Sequence, residues 1–249
     1  IKHNKRFKRD SQRVAFSLCV GFCGYGVMRK LGNGVGCPLT GRYVLGGKIS
    51  MDVIILNGAS SSGKSSIAKE LQSILPRNYL HIGIDTFISM MPEKSNSLDC
   101  SDEKSDGFYF QHEVLERNVV QRIQSGSYGR KVNQAYHSTV KHLADLGLGV
   151  IVDDVMDGSS EQKLWNLALG STSTLFVGVH CCLDVLVERE RLRGDRVQGS
   201  AVEQALRVHQ GVVYDLELST SNDTVMECAQ QIATHITNNL RGIPNAWHF

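Results

Sequence analysis

The chain has 249 residues, of which 41% are hydrophobic and 21% are charged, and its net charge at pH 7 is +2. These values are ordinary for a soluble globular protein that buries a core. Seven scattered cysteines, an odd number, argue against a disulfide framework and favour a reduced, cytoplasmic setting. Cys19, Cys23 and Cys37 lack the paired spacing of a zinc site, so we expect no metal there.

Residues 1–50 differ from the rest of the chain, because they hold ten Lys or Arg and a single acid, Asp10. A basic start followed by an apolar run is typical of a signal peptide, and an organellar transit segment is an alternative. The run is interrupted by Gly, Ser and Cys and is too short to cross a bilayer. We therefore favour a disordered or non-native Gly-rich extension. No aromatic interleaving supports nucleic-acid binding, so we predict neither a nucleic-acid nor a membrane partner.

From Met51 onward, strand-like apolar runs alternate with helical periodicity. The pattern predicts strands over 53–56, 80–84, 149–152, 175–179 and 212–218, and helices over 65–75, 113–124, 134–146 and 223–238. Such alternation is typical of an α/β fold with three layers, in which helices flank a mostly parallel five-stranded sheet. We expect one domain over 51–240 and a tail over 241–249. The polar segment 92–110 is either a surface loop or a cap over a substrate site.

Residues 58–65 read GASSSGKS, which fits the phosphate-binding pattern G-x-x-x-x-G-K-[ST] at every fixed position. The segment follows a strand and opens an amphipathic helix, as nucleotide-binding loops of this type do. Backbone N–H groups would surround a phosphate, Lys64 would reach the β- and γ-phosphates, and Ser65 would ligate Mg²⁺. The predicted cofactors are ATP and Mg²⁺, held by Gly58, Ala59, Ser60, Ser61, Ser62, Gly63, Lys64, Ser65 and Ser66.

The strand over 149–152 runs directly into Asp153 and Asp154. An apolar strand that ends in carboxylates is the usual partner of a phosphate-binding loop, where it holds Mg²⁺ or its water shell. We predict both residues as metal ligands, with Asp153 favoured over Asp154. The alternative is a strand end that meets solvent.

Asp85 follows the second strand, in IGIDTF. Ligands of open α/β sheets lie beyond the carboxyl ends of the strands, which would place Asp85 near the γ-phosphate. A carboxylate there can accept the proton of a substrate hydroxyl during phosphoryl transfer. The alternative is a helix cap at the start of the next element.

Residues 188–196 read ERERLRGDR and contain four arginines. Mobile arginines can close over the transferring phosphoryl group, so we predict Arg193 and Arg196 as catalytic residues. The alternative is a charged helix face, and Glu188 and Arg191 have the spacing of an ion pair. His209 and Tyr214 are expected to be structural.

Taken together, these segments resemble chloramphenicol phosphotransferase and its relatives among the small P-loop kinases. The resemblance extends through IILNGASSSGKSSI, GIDTFISMMP, IVDDV, VGVHC, RLRGDRVQG and VHQGVVYDLELST, in that order, from about residue 51 to 235. It implies an ATP-dependent kinase of a chloramphenicol hydroxyl, with Asp85 as general base and Arg189, Arg193 and Arg196 as a basic lid. Residues 92–110 depart from the family, which leaves another acceptor open, such as a metabolite or nucleotide-sugar. A separate alternative is a non-catalytic nucleotide-dependent regulator, against which the candidate base and the arginine lid argue.

Overall fold

A computed structural model of the protein describes residues 51–98, 104–115, 118–193 and 200–241. Its centre is a five-stranded sheet made of β1 (Val53–Asn57), β2 (Tyr79–Gly83), β5 (Gly149–Asp154), β6 (Thr174–His180) and β7 (Leu216–Ser219). The strands lie in the order β2-β5-β1-β6-β7, and every neighbouring pair is parallel. The predicted α/β class and five-stranded parallel sheet are confirmed. The predictions for residues 1–50 and 242–249 lie outside the described residues.

Seven α-helices connect or cover these strands in the described part of the chain. They are α1 (Lys64–Ile74), α2 (Ile84–Ser89), α3 (Ser127–Asp145), α4 (Gly158–Leu169), α5 (Leu183–Arg193), α6 (Ser200–Arg207) and α7 (Val225–Arg241). None of the helices in these ranges is long and apolar enough to cross a membrane.

The two faces of the sheet carry separate hydrophobic layers, because successive side chains of a strand point to opposite sides. Ile54 and Leu56 of β1 pack with Ile67 and Leu71 of α1 and with residues of α7. On the other face lies a second cluster, in which Val53, Ile55, Val150 and Val152 meet Tyr136, Val140 and Trp165 of α3 and α4. This three-layer arrangement brings the C-terminal ends of β1, β2 and β5 to one edge.

The prediction of a helix over 113–124 is wrong. Residues Phe108–Leu115 (β3) and Asn118–Ser125 (β4) form an antiparallel hairpin in a separate two-stranded sheet. The segment contains Val114, Val119, Val120 and Ile123, and β-branched residues favour strands. Their spacing fits both a helical and a strand period over so short a stretch, and pairing with β3 decides the outcome.

Other differences concern the ends of elements. The segment 92–110 holds a short 3₁₀ turn, Glu93–Ser95, and the start of β3. Helix α3 begins seven residues earlier than predicted, at Ser127. The last strand begins at Leu216 rather than at Val212, since Asp215 first bonds to Phe176 through both its backbone N–H and its carboxylate.

Candidate active site

The loop between β1 and α1 has the conformation of a phosphate cradle. Ser61 and Gly63 have φ angles of 63° and 97°, in the left-handed region, a backbone conformation typical of loops whose N–H groups bind anions. A side chain on Gly58 would collide with the carbonyl oxygen of Val179. The hydroxyls of Ser61 and Ser62 are buried and have no hydrogen-bond partner among the described residues. Buried donors of this kind fit a ligand rich in oxygen acceptors.

Lys64, Ser65 and Asp153 lie together at the mouth of this loop. The Lys64 Nζ donates to the carbonyl oxygens of Gly58 and Ala59, at 2.9 and 2.8 Å, and lies 3.7 Å from Asp153 Oδ1. Ser65 Oγ donates to Asp153 Oδ2. Burial alone would raise the pKa of Asp153, but the charge of Lys64, the His81 imidazole 3.7 Å away and the hydrogen bond from Ser65 lower it below its usual value. Asp153 is therefore held as a carboxylate facing the loop.

Asp154 faces the opposite side of β5. Its Oδ2 accepts from Trp165 Nε1 at 2.6 Å and its Oδ1 from the backbone N–H of Val155 at 2.9 Å. Burial and the negative charge of Glu161 raise the pKa of Asp154 to about 6. Asp153 and Asp154, both predicted as Mg²⁺ ligands with Asp153 favoured, therefore point to opposite faces of the sheet, as adjacent residues of a strand do. Asp153 is the one that contacts Ser65, and the Mg²⁺ role of either residue stays a prediction.

Asp85 lies in the first turn of α2, just after the end of β2, and its side chain is exposed. The strand β2 pairs with β5 so that Gly83 is the register partner of Asp153. Asp85 consequently follows the strand end next to Asp153, at the edge of the sheet where the phosphate loop lies. Its side chain also adds to the negative surroundings of Tyr136, whose hydroxyl lies 3.5 Å from the Asp153 carbonyl oxygen.

Arg189 is the arginine of the predicted lid whose side chain the structure describes. It donates to the Thr220 carbonyl oxygen at 2.9 Å and to Thr220 Oγ1 at 3.2 Å, while that hydroxyl donates to the carbonyl oxygen of Ser62 in the phosphate loop. Arg191 pairs with Glu188 on the surface, as its spacing predicts. Arg196 and the side chain of Arg193 lie outside the described residues, so their catalytic roles stay predictions.

Helix α6 contacts both the phosphate loop and the hairpin, and sequence reasoning missed this connection. Gln204, which is buried, accepts a hydrogen bond from the Ser60 N–H at 2.7 Å. One turn on, Arg207 contacts Asp157, which also binds Arg122 of β4 at 3.1 Å. The residues are ordinary polar types at unremarkable spacing, so no sequence signal marks them.

A second missed feature is a polar network at the end of β1. Asn57, fully buried, donates to the Val208 carbonyl oxygen and to the Tyr214 hydroxyl, and accepts from the Met156 N–H. Tyr214 in turn bonds His209 Nδ1 at 2.7 Å. Burial, followed by the nearby charges of His180 and Lys64, lowers the pKa of His209 to about 4. These contacts fit the structural roles expected for His209 and Tyr214.

Comparison with known proteins agrees with the architecture. The family model described as chloramphenicol phosphotransferase-like protein matches residues 51–237. The chain is 29% identical over 197 residues to "Putative O-phosphotransferase Rv2636" of Mycobacterium tuberculosis, which covers 77% of this chain and 86% of the relative. Its fold is similar to that of a gluconokinase from Sinorhizobium meliloti 1021, with a TM-score of 0.53, 14% identity and coverage of 80% and 99% of the two chains. A sugar kinase from Janibacter sp. HTCC2649 is similar at a TM-score of 0.51, with 14% identity and coverage of 76% and 98%.

Proposed function

The chain belongs to the chloramphenicol phosphotransferase-like family, and from that premise we propose that it is an ATP-dependent O-phosphotransferase of a hydroxylated small molecule. The first acceptor to test is chloramphenicol, because the family takes its description from that reaction. The observation that carries the proposal is the contact of Ser65 with Asp153 beside Lys64, at the mouth of a loop with buried, unbonded serine hydroxyls.

Ser65 and Asp153 would hold Mg²⁺, because a hydroxyl and a carboxylate are the hard oxygen ligands that this ion prefers. The ion, when bound, would neutralise charge on the β- and γ-phosphates. Lys64 now donates to two neutral loop carbonyls. Phosphate oxygens are stronger acceptors for an ammonium group than carbonyls are, so Lys64 would turn to the nucleotide when it binds.

Asp85 would accept the proton of the acceptor hydroxyl as the phosphoryl group is transferred. The position after β2 suits this role, since Asp85 is exposed and follows the strand whose end pairs with Asp153. Arg189 would help to hold the nucleotide from the far side of the phosphate loop. Arg193 and Arg196 would stabilise the charge on the transferring group.

The acceptor would lie between Asp85 and the β3-β4 hairpin. Arg122 of the hairpin is joined through Asp157 to Arg207, which fixes the hairpin to the loop after β5 and to α6. A hairpin anchored at this edge of the sheet would cover the acceptor and exclude water from it. Because this part of the chain departs from the family pattern, a different hydroxylated metabolite is the alternative acceptor.

The test is to incubate the full chain with Mg²⁺ and ATP, with and without chloramphenicol, and to measure ADP release and the mass of the drug. The proposal expects drug-stimulated turnover and a product carrying one added phosphoryl group. Lys64→Ala is the control for contaminating activity and should show neither. ATP binding without drug-dependent turnover would reject this acceptor and direct the search to other hydroxylated compounds. Absence of ATP binding would reject the enzyme itself.

A further inference from the structure

A cluster of three metal-binding residue types lies on the side of β5 away from the phosphate loop. His137 of α3, Asp154 at the end of β5 and Glu161 in the first turn of α4 each offer a ligand atom, and these atoms lie within 4.8 Å of one another. The three residues come from three different elements, so the fold itself brings them together.

The imidazole of His137 is an independent sign that something is bound there. His137 is only 5% exposed, and its Nε2 has no hydrogen bond among the described residues. The same atom lies 2.9 Å from Glu161 Oε1, close but out of line for a hydrogen bond. Two ligand atoms that each lie about 2.1 Å from one ion, with an angle of about 90° at the ion, are about 3 Å apart. Both then point at the ion and not at each other.

The charge of the cluster also calls for a cation. Two carboxylates, Asp154 and Glu161, lie beside one imidazole, and no Lys or Arg of the described residues forms an ion pair with either of them. The rings of Tyr136 and Trp165, both fully buried, adjoin the site. One imidazole can offset only one of the two carboxylates, so at least one negative charge has no cationic partner among the described residues, which is unfavourable in such surroundings.

The hydrogen bonds around the cluster hold the carboxylates in place as outer partners of metal ligands do. Trp165 Nε1 and the Val155 N–H bind the two oxygens of Asp154, and Asn133 Nδ2 donates to Glu161 Oε1 at 2.9 Å. We propose that His137, Asp154 and Glu161 form a structural site for one divalent transition-metal ion, of the Mn²⁺ or Zn²⁺ class. An imidazole ligand favours these ions over Mg²⁺.

This site is separate from the Mg²⁺ site proposed for ATP, although the two are adjacent along the chain. Asp153 faces α1 and Asp154 faces α3 and α4, so the sheet itself lies between the two ions. The ion would tie α3 and α4 to the end of β5 and so fix the strand end that presents Asp153. The inference does not depend on the acceptor or on catalysis.

The test uses Mn²⁺ as the probe, counted by electron paramagnetic resonance on the full chain after EDTA treatment, without nucleotide. Mn²⁺ avoids competition from the cysteine thiols, which prefer softer ions. We expect one tightly bound Mn²⁺ per chain, and loss of affinity by at least about tenfold in Glu161→Gln and His137→Gln. The matched controls are His142→Gln, an exposed histidine on the same helix, and Ser65→Ala, which alters only the phosphate-loop site; both should bind as the unaltered chain does.

Three results would overturn the proposal. The unaltered chain could take up no equivalent of Mn²⁺, Glu161→Gln could bind it as tightly as the unaltered chain, or Ser65→Ala could lose it. The last result would place the ion in the phosphate loop. Should the cluster variants fail to fold, the melting temperature still decides, because an ion that binds only the folded state stabilises it by RT ln(1 + [Mn²⁺]/Kd). The melting temperature should therefore rise with the logarithm of the Mn²⁺ concentration in the unaltered chain and equally in Ser65→Ala, and no rise in Ser65→Ala would contradict the proposal.

Discussion

Replacement of Asn57 by leucine tests whether the polar network at the end of β1 stabilises the fold. Leucine has the same number and branching of side-chain heavy atoms but leaves the Met156 N–H and the Val208 carbonyl oxygen without their partner, and both residues are fully buried. The Tyr214 hydroxyl keeps His209 as a partner. Each buried orphan costs about 1–3 kcal/mol, so the free energy of unfolding should fall by about 4 kcal/mol.

Urea denaturation followed by circular dichroism measures this loss directly. For a domain of this size, about 4 kcal/mol corresponds to a fall in melting temperature of about 8–16 °C. Asn166→Leu, at an exposed position of α4, is the matched control and should change stability by less than about 0.5 kcal/mol. A loss below about 1 kcal/mol in Asn57→Leu, with an unchanged dependence on urea, would refute the argument that these contacts bear on stability.

Three further predictions concern catalysis and pH. Asp85→Asn should lower turnover by about 10²–10⁴-fold while ATP affinity, measured by calorimetry, changes little. Loss of ATP binding would contradict the role of Asp85 as base. The control is Asp145→Asn, at another exposed position, which should change neither turnover nor ATP affinity. Ser65→Ala should raise the Mg²⁺ concentration for half-maximal activity by at least about tenfold, whereas Ser65→Thr, which keeps the hydroxyl, should need about as much Mg²⁺ as the unaltered chain. The same Mg²⁺ requirement in the unaltered chain and both variants would contradict Mg²⁺ ligation by Ser65. His209, whose pKa is lowered to about 4, stays neutral in the fold when the unfolded chain takes up a proton, so stability should fall as pH decreases from about 6.5 to 4. His209→Gln should remove about 1–2 kcal/mol of that fall, a value reduced because His209 is partly exposed. Urea titrations at several pH values measure it, and an unfolding free energy that depends on pH as in the unaltered chain would contradict the prediction.

The sheet and the phosphate loop could be predicted because their signals are local. Buried parallel strands are continuous apolar runs such as residues 53–56, and the loop has fixed glycines, a lysine and a serine at set spacing. The hairpin β3-β4 could not be predicted, because the spacing of its apolar residues fits both a helix and a strand. The antiparallel pairing of the two segments, such as Phe110 with Ile123, makes them strands. The role of Gln204 was equally hidden, since a contact with Ser60 across 144 positions has no local signature.

The end of β5 shows why a motif can locate a site without assigning its residues. The sequence marks Asp153 and Asp154 alike as carboxylates after an apolar strand. Strand alternation then sends Asp153 toward Ser65 and Asp154 toward Trp165, so that one faces the phosphate loop and the other a buried cluster. Replacing either residue by asparagine should therefore affect different properties: Mg²⁺-dependent ATP turnover for Asp153, and stability with metal content for Asp154. The strand alternation that directs Asp153 to the phosphate loop thus also places the Asp154 carboxylate in the buried layer on the other face of the sheet, where a cation would balance its charge.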